Sequence, residues 1–103
     1  MAVKVLIERR IKPLQRRAVF DHMRRMRQRC LEEPGYISGE TLRDNNDENH
    51  VIVISTWFGL MDWKRWYASE ERKQFVAEIE PYLTEPESVL VTLEGFSEHV
   101  AGA

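Results

Sequence analysis

From Val51 to Phe58 the chain reads Val-Ile-Val-Ile-Ser-Thr-Trp-Phe, with bulky apolar groups at both odd and even positions. A strand wetted on one face alternates apolar and polar residues. This run does not, which predicts a strand covered on both sides. An aromatic helix over Leu60–Ala68 follows at once and carries Trp63, Trp66 and Tyr67. Upstream, residues 2–11 read as a first strand. Val3, Val5 and Ile7 share one face with Arg9, while Lys4, Leu6, Glu8 and Arg10 share the other. Lys12-Pro13 ends that strand and opens a helix predicted from about Leu14 to Glu32. Within it Val19, Met23, Met26 and Cys30 recur at spacings of four, three and four, one helical stripe flanked by Leu14 and Phe20.

Pro34-Gly35 stops the helix, and Tyr36–Arg43 reads as a second strand in which Gly39 marks a bulge or a close approach. The polar run Asp44–Asn49 predicts a hairpin connection with a longer loop. It has no central glycine and no terminal glutamate, so it does not meet the requirements of a calcium loop, and no metal is expected. After a break, Ser69 is placed to cap a further helix with Phe75, Val76, Ile79, Tyr82 and Leu83 on one side and Pro81 near its end. Glu87–Phe96 predicts a fourth strand, with Val89, Val91 and Leu93 on one face. Ser97–Ala103 is a short polar tail.

The order is β-α-β-β-α-β, with the second helical stretch broken in two. It predicts a single α+β domain over 1–103, a ferredoxin-like subunit whose four-stranded antiparallel sheet carries its helices on one face. The other face still holds large side chains from the third strand. Burying a Val, Ile or Phe side chain contributes roughly 1.5–3 kcal/mol, so a handful favours two copies packed sheet to sheet into a barrel. A homodimer is therefore expected.

Composition narrows the function classes. Of 103 residues, 43% are apolar, enough for a core, and the formal net charge is −2, which projects no global field toward nucleic acid. Ten of the fifteen Lys and Arg lie in the first 30 residues, a basic bias open to two readings: a surface for an anionic partner, or a solvated helix face balanced elsewhere. The basic residues lack the interleaved aromatics of a nucleic-acid surface, so the solvated face is expected and nucleic acid is not. A lone cysteine excludes an intrachain disulfide and suits a reducing, cytoplasmic setting. No early apolar run suits a signal peptide, and no window reaches the ~20 apolar residues of a membrane span. His22 reads either as a proton carrier or as a helix-surface residue, and Cys30 either as a reactive thiol or as a small core residue.

Four stretches carry a resemblance: Val5-Leu6-Ile7-Glu8-Arg9-Arg10-Ile11-Lys12-Pro13, Glu33-Pro34-Gly35-Tyr36-Ile37-Ser38-Gly39-Glu40, Ile54-Ser55-Thr56-Trp57 and Trp66-Tyr67-Ala68-Ser69. In order and spacing, over about Val3–Phe96, the chain resembles the antibiotic biosynthesis monooxygenase family. The resemblance implies a ferredoxin-like subunit that dimerises into a shared β-barrel. It also implies a function among cofactor-independent oxygenases of polycyclic phenols, quinol oxygenases, haem-degrading monooxygenases and proteins of unknown role. Trp66 is similar in position to the pocket tryptophan of the haem-degrading branch. That branch's first-strand asparagine and iron-binding histidine match Arg9 and Val76 here. Valine cannot ligate iron, so neither haem nor any other cofactor is expected.

A cofactor-free oxygenase needs a dry pocket, removal of a proton from a phenol or enol, and stabilisation of the resulting anion. Arg9 and Glu40 are the candidate catalytic residues, the first to stabilise a phenolate, the second to take a proton, with Glu8 as its alternative. Trp66, Tyr36 and Glu8 are the candidate substrate-binding residues. Plainer readings stand beside these: ion pairs at a strand end for Glu8, Arg9 and Arg10, core or interface packing for the tryptophans, and a cross-strand pair for Glu40. Two functions follow. One is a small homodimeric monooxygenase acting on a quinol, phenol or related aromatic. The other is a non-catalytic dimer of the same fold that binds a small ligand or serves in stress.

Overall fold

Strand alternation decides which side chains face the helices. The computed structural model describes residues 2–93. Its elements are β1 (Val3–Arg10), α1 (Arg16–Cys30), β2 (Tyr36–Asp44), β3 (Asp47–Trp57), α2 (Leu60–Tyr67), α3 (Glu70–Ile79), a 3-10 turn over Glu80–Tyr82, and β4 (Ser88–Leu93). The sheet is antiparallel in the order β2-β3-β1-β4. This is the α+β, ferredoxin-like arrangement that the chain's pattern predicts.

One face of the sheet is read directly from the register. Val3, Val5, Ile7 and Arg9 of β1 pair with Trp57, Ser55, Val53 and Val51 of β3. These rows carry the core, joined by the Val19, Met23, Met26 and Cys30 stripe of α1, by Trp63 and Trp66 of α2, and by Ile79 and Leu83. The opposite, open face carries Leu6, Ile52 and Ile54, half-buried, with Leu42 and Leu90 exposed. His50 also lies on this face. It donates from Nδ1 to Asp44 at 2.8 Å and approaches Glu8 at 3.4 Å. The hydrogen bond to Asp44 raises its pKa above the ordinary histidine value, with burial opposing.

Several boundaries differ from the sequence reading. α1 starts at Arg16 and ends at Cys30, not at Leu14 and Glu32. Pro13 and Leu14 form a turn closed by Gln15 N–H donating to the Lys12 carbonyl at 3.1 Å, and Leu14 sits at φ 68°, which removes it from the helix. It is 95% exposed, so it flanks no stripe. The hairpin between β2 and β3 is tight, with Asn45-Asn46 at its tip, because the Asp44 side chain accepts from Asn46 N–H at 2.8 Å. A register shift between Arg43 and Asp44 absorbs the extra residues of β3, which therefore begins at Asp47. Of the fourth strand predicted over Glu87–Phe96, Ser88–Leu93 is formed; residues 94–96 and the tail lie outside the described residues.

The Pro34-Gly35 turn sets the entry into β2. Tyr36 N–H donates to the Glu33 carbonyl at 3.2 Å, with Gly35 at φ 84°. A Cβ at Gly35 would collide with the Asp62 side chain on α2. Gly35→Ala combines left-handed backbone strain with this clash, and about 2 kcal/mol of stability is expected to be lost, read as a lower denaturant midpoint at unchanged m-value.

Candidate active site

A cavity of about 450 Å³ lies between the helix face of the sheet and the helices. Its floor follows the rows of the sheet. Tyr36 and Trp57 stand at one end, then Gly39 and Ser55, then Thr41, Val53 and Ile7, then Arg43 and Arg9. In mid-floor Gly39 carries no side chain and Ser55 a small one, and the Tyr36 hydroxyl lies over Gly39. Gly39 is a site of close approach, since a Cβ there would meet the Tyr36 hydroxyl. Phe20, Met23, Met26 and Cys30 come from α1, and Trp63 and Trp66 from α2.

Three of the lining aromatics, Tyr36, Trp57 and Trp63, are in contact in series, and the series ends on Tyr67 outside the cavity. Tyr36 meets Trp57 edge to face at 5.3 Å, Trp57 meets Trp63 at 5.8 Å, and Trp63 meets Tyr67 at 5.5 Å between ring centroids. Trp57 Nε1 donates to Ser55 Oγ at 3.0 Å, so the buried indole is satisfied and fixed.

At the charged end, Arg9 is 2% and Arg72 4% exposed. Both rest on one carboxylate, Glu87. Arg9 Nε donates to Glu87 Oε2 at 3.0 Å and Arg72 Nη2 to Glu87 Oε1 at 2.8 Å. Two guanidiniums thus share one carboxylate, leaving one positive charge in excess inside the fold. Arg9 Nη2 approaches Oε2 at 2.8 Å without a directed hydrogen bond, and Arg72 Nε, also buried, has no hydrogen-bond partner among the described residues. Burial lowers the Arg9 pKa below its ordinary value, Glu87 opposes this, and Arg72 adds to the lowering.

Local structure explains how the pair is held. Strand alternation puts Arg9 on the same face as Val3, Val5 and Ile7. Ser69 accepts from Arg72 N–H at 3.1 Å and donates to the Trp66 carbonyl at 2.7 Å, joining the end of α2 to the start of α3. This sets the Arg72 guanidinium 5.4 Å from the Trp63 ring centroid and 4.9 Å from that of Tyr67. Glu87 arrives on the residue before β4.

Arg9, Tyr36 and Trp66 are brought together around this one cavity. Glu8 and Glu40 are not in the same position. Glu8 alternates with Arg9 and pairs with Ile52 on the open face. Glu40 borders the cavity at the β2 rim, but it pairs with Ile54, whose face is also the open one. Arg72 and Glu87 escaped the sequence reading. A signal for Arg72 was present: a cation in the first turn of a helix opposes the macrodipole and needs a partner. Glu87 had no comparable signal.

Two lining groups are chemically quiet. Burial pushes the Cys30 thiol up to about 12, so it is not a thiolate at neutral pH. Burial also raises the Tyr36 phenol, with nearby Arg27 opposing. Val76 faces the far side of the Arg9–Glu87 pair, lining a void of about 40 Å³, and offers no donor atom to iron. Of the histidines, His22 sits 3.5 Å from Glu78 and His50 is on the open face, while His99 lies outside the described residues.

An α+β subunit with a tryptophan-walled cavity above its sheet defines the class, and the comparisons place the chain within it. Residues 2–78 match the family model described as antibiotic biosynthesis monooxygenase, so the chain belongs to that family. Protein SchA of Streptomyces halstedii is 28% identical over 102 residues, covering 98% of this chain and 27% of that protein. The chain thus spans about a quarter of this curated relative. SnoaB from Streptomyces nogalater, described as a cofactor-independent oxygenase, superposes with TM-score 0.81 at 12% identity, covering 97% of each chain. Rv0793 from Mycobacterium tuberculosis superposes with TM-score 0.82 at 18% identity, covering 97% of this chain and 100% of that one. A possible antibiotic biosynthesis monooxygenase from Nitrosomonas europaea gives TM-score 0.83 at 11% identity, covering 95% and 94%. At these identities the likeness is one of fold.

Proposed function

We propose that this chain is a cofactor-independent monooxygenase that oxidises a phenol or quinol in the cavity over its sheet. The observation that carries this reading is the buried Arg9–Arg72 pair, one positive charge in excess, facing a pocket walled by tryptophans. A cation within ~4–6 Å lowers an acid's pKa by about 1–3 units, so a phenolic hydroxyl placed at this end ionises more readily than in water, with burial opposing. The anion is the electron donor. Dioxygen adds at an electron-rich ring carbon, the hydroperoxide loses water, and the phenol leaves as a quinone: one oxygen atom enters the product and the other departs in water.

The proton takes a route set by the local charges. Both Glu87 oxygens are engaged by guanidiniums, and Glu8 and Glu40 pair with open-face residues. The arginine pair therefore acts on the substrate's acidity, and the proton leaves to solvent at the cavity mouth. Trp66 and Tyr36 act as walls that hold the ring. Two subunits pair through their open faces, which puts Leu6, Ile52 and Ile54 out of water.

Oxygen uptake with a panel of hydroquinones and polyphenols tests this. Wild type is expected to consume oxygen with at least one of them, and Trp66→Ala and Arg9→Ala to lose most of that rate. Binding without uptake for every compound would instead favour a non-catalytic ligand-binding module, the reading that the same cavity serves without chemistry. Sedimentation equilibrium tests the pairing: a well-folded monomer at high concentration removes it.

A further inference from the structure

The buried pair is short of acceptors as well as of negative charge. Each guanidinium carries five N–H donors and a carboxylate about four lone-pair sites, so Glu87 satisfies fewer than half of the donors that Arg9 and Arg72 bring to it. Arg9 turns its Nε–Nη2 edge to Oε2, and Arg72 turns Nη2 to Oε1. Arg72 Nε is left without a partner among the described residues, and Arg9 Nη2 without a directed hydrogen bond.

Water supplies acceptors but no charge. The excess positive charge sits on side chains that are almost fully buried, where an uncompensated ion costs far more than a missing hydrogen bond. The Trp63 and Tyr67 rings attract the Arg72 cation without neutralising it.

Arg9 borders two spaces, and they differ in charge. The void of about 40 Å³ is also lined by Glu80 and Glu87, and its size suits one water molecule. The larger cavity is lined by both Arg9 and Arg72 but not by Glu87. Its one lining acid among the described residues, Glu40, belongs by register to the open face. The carboxylate thus stands behind the pair, and the cavity side meets the guanidiniums.

We propose that the Arg9–Arg72 pair binds a small monovalent inorganic anion, a halide or nitrate, on its cavity side. The cluster's charge selects the ligand: one negative charge brings it to neutrality, and two overshoot. Guanidinium is weakly hydrated, so it gives up water readily to a weakly hydrated ion. The site stands on the buried charge alone, whatever organic molecule the cavity takes. Any anionic group that docks on the pair must displace the ion.

Thermal unfolding in sodium bromide and in sodium sulfate at matched ionic strength makes the test. Sulfate strengthens apolar burial in proteins generally, so bromide ranks below it unless bromide is bound. Wild type is expected to reverse that order. With a Kd of about 10 mM, its Tm in about 100 mM bromide should lie about 3 °C or more above that in sulfate. Arg9→Met, whose cluster is neutral, is expected to restore the general order. Arg43→Gln, which removes a rim arginine of the same cavity, is expected to keep the reversal. Iodide quenching is read on wild type alone. With buried Trp63 beside Arg72, quenching should saturate over the same concentration range, while caesium gives no saturable phase. Sulfate above bromide in wild type, a linear iodide response, or a reversal that survives Arg9→Met overturns the proposal. Neither readout involves a phenol or oxygen uptake. Failure here leaves the oxygenase reading untouched, and failure there leaves this site.

Discussion

Glu87→Gln is expected to destabilise the fold by about 3–5 kcal/mol, the cost of leaving buried charge without its partner. The side chain barely changes in size, so packing contributes little. Two guanidiniums, 2% and 4% exposed, lose the one carboxylate between them and repel each other across the gap. Urea denaturation followed by tryptophan fluorescence reads the effect, since Trp63 lies under Arg72. Adding Arg9→Met to Glu87→Gln should recover part of the loss, because one buried charge is removed with its repulsion. A Glu87→Gln variant as stable as wild type would mean that the ion pair is solvated and that the excess charge at the cavity does not exist.

Arg9→Met should do the opposite: leave stability nearly intact and remove the chemistry. Glu87 keeps Arg72, the buried cluster becomes neutral, and an apolar side chain of similar length fills the place. The anion of the substrate then loses its nearest cation. A fall of about 10²–10³ in kcat/KM is expected for whichever phenol is turned over. A second readout is independent of turnover. The pH at which bound 2-naphthol ionises, followed by its phenolate absorbance, should rise by about 1–2 units in Arg9→Met. An unchanged ionisation midpoint, with a stable fold, would take Arg9 out of the site.

Much of the fold was legible because it depends on local pattern. The α1 stripe, the period-two alternation of β1, the two-faced β3 and the Ser69 cap are each written in adjacent residues, and each is formed. The errors fell where one backbone angle or one side-chain hydrogen bond decides the outcome. Leu14 adopts a positive φ that its residue type does not advertise, and the Asp44 side chain tightens a hairpin whose polar run reads as a longer loop. Of the site, Arg9, Tyr36 and Trp66 could be singled out, yet the partner that makes Arg9 unusual could not. Glu87 is 78 residues away along the chain, and no local pattern ties a carboxylate at a strand entrance to an arginine on the first strand.

The chain's own residues determined the element order, the buried faces and the aromatic content of the helix after β3. These follow from helix and strand periodicity, which acts over a few residues. Only the tertiary structure decided that two arginines from β1 and α3 converge on one carboxylate, and that they line the same cavity as the tryptophans of α2. Both outcomes depend on sheet register and on the crossing of helices over it. Those are set by the sum of many distant contacts, so the charge and the empty space that chemistry needs arise from how the layers meet.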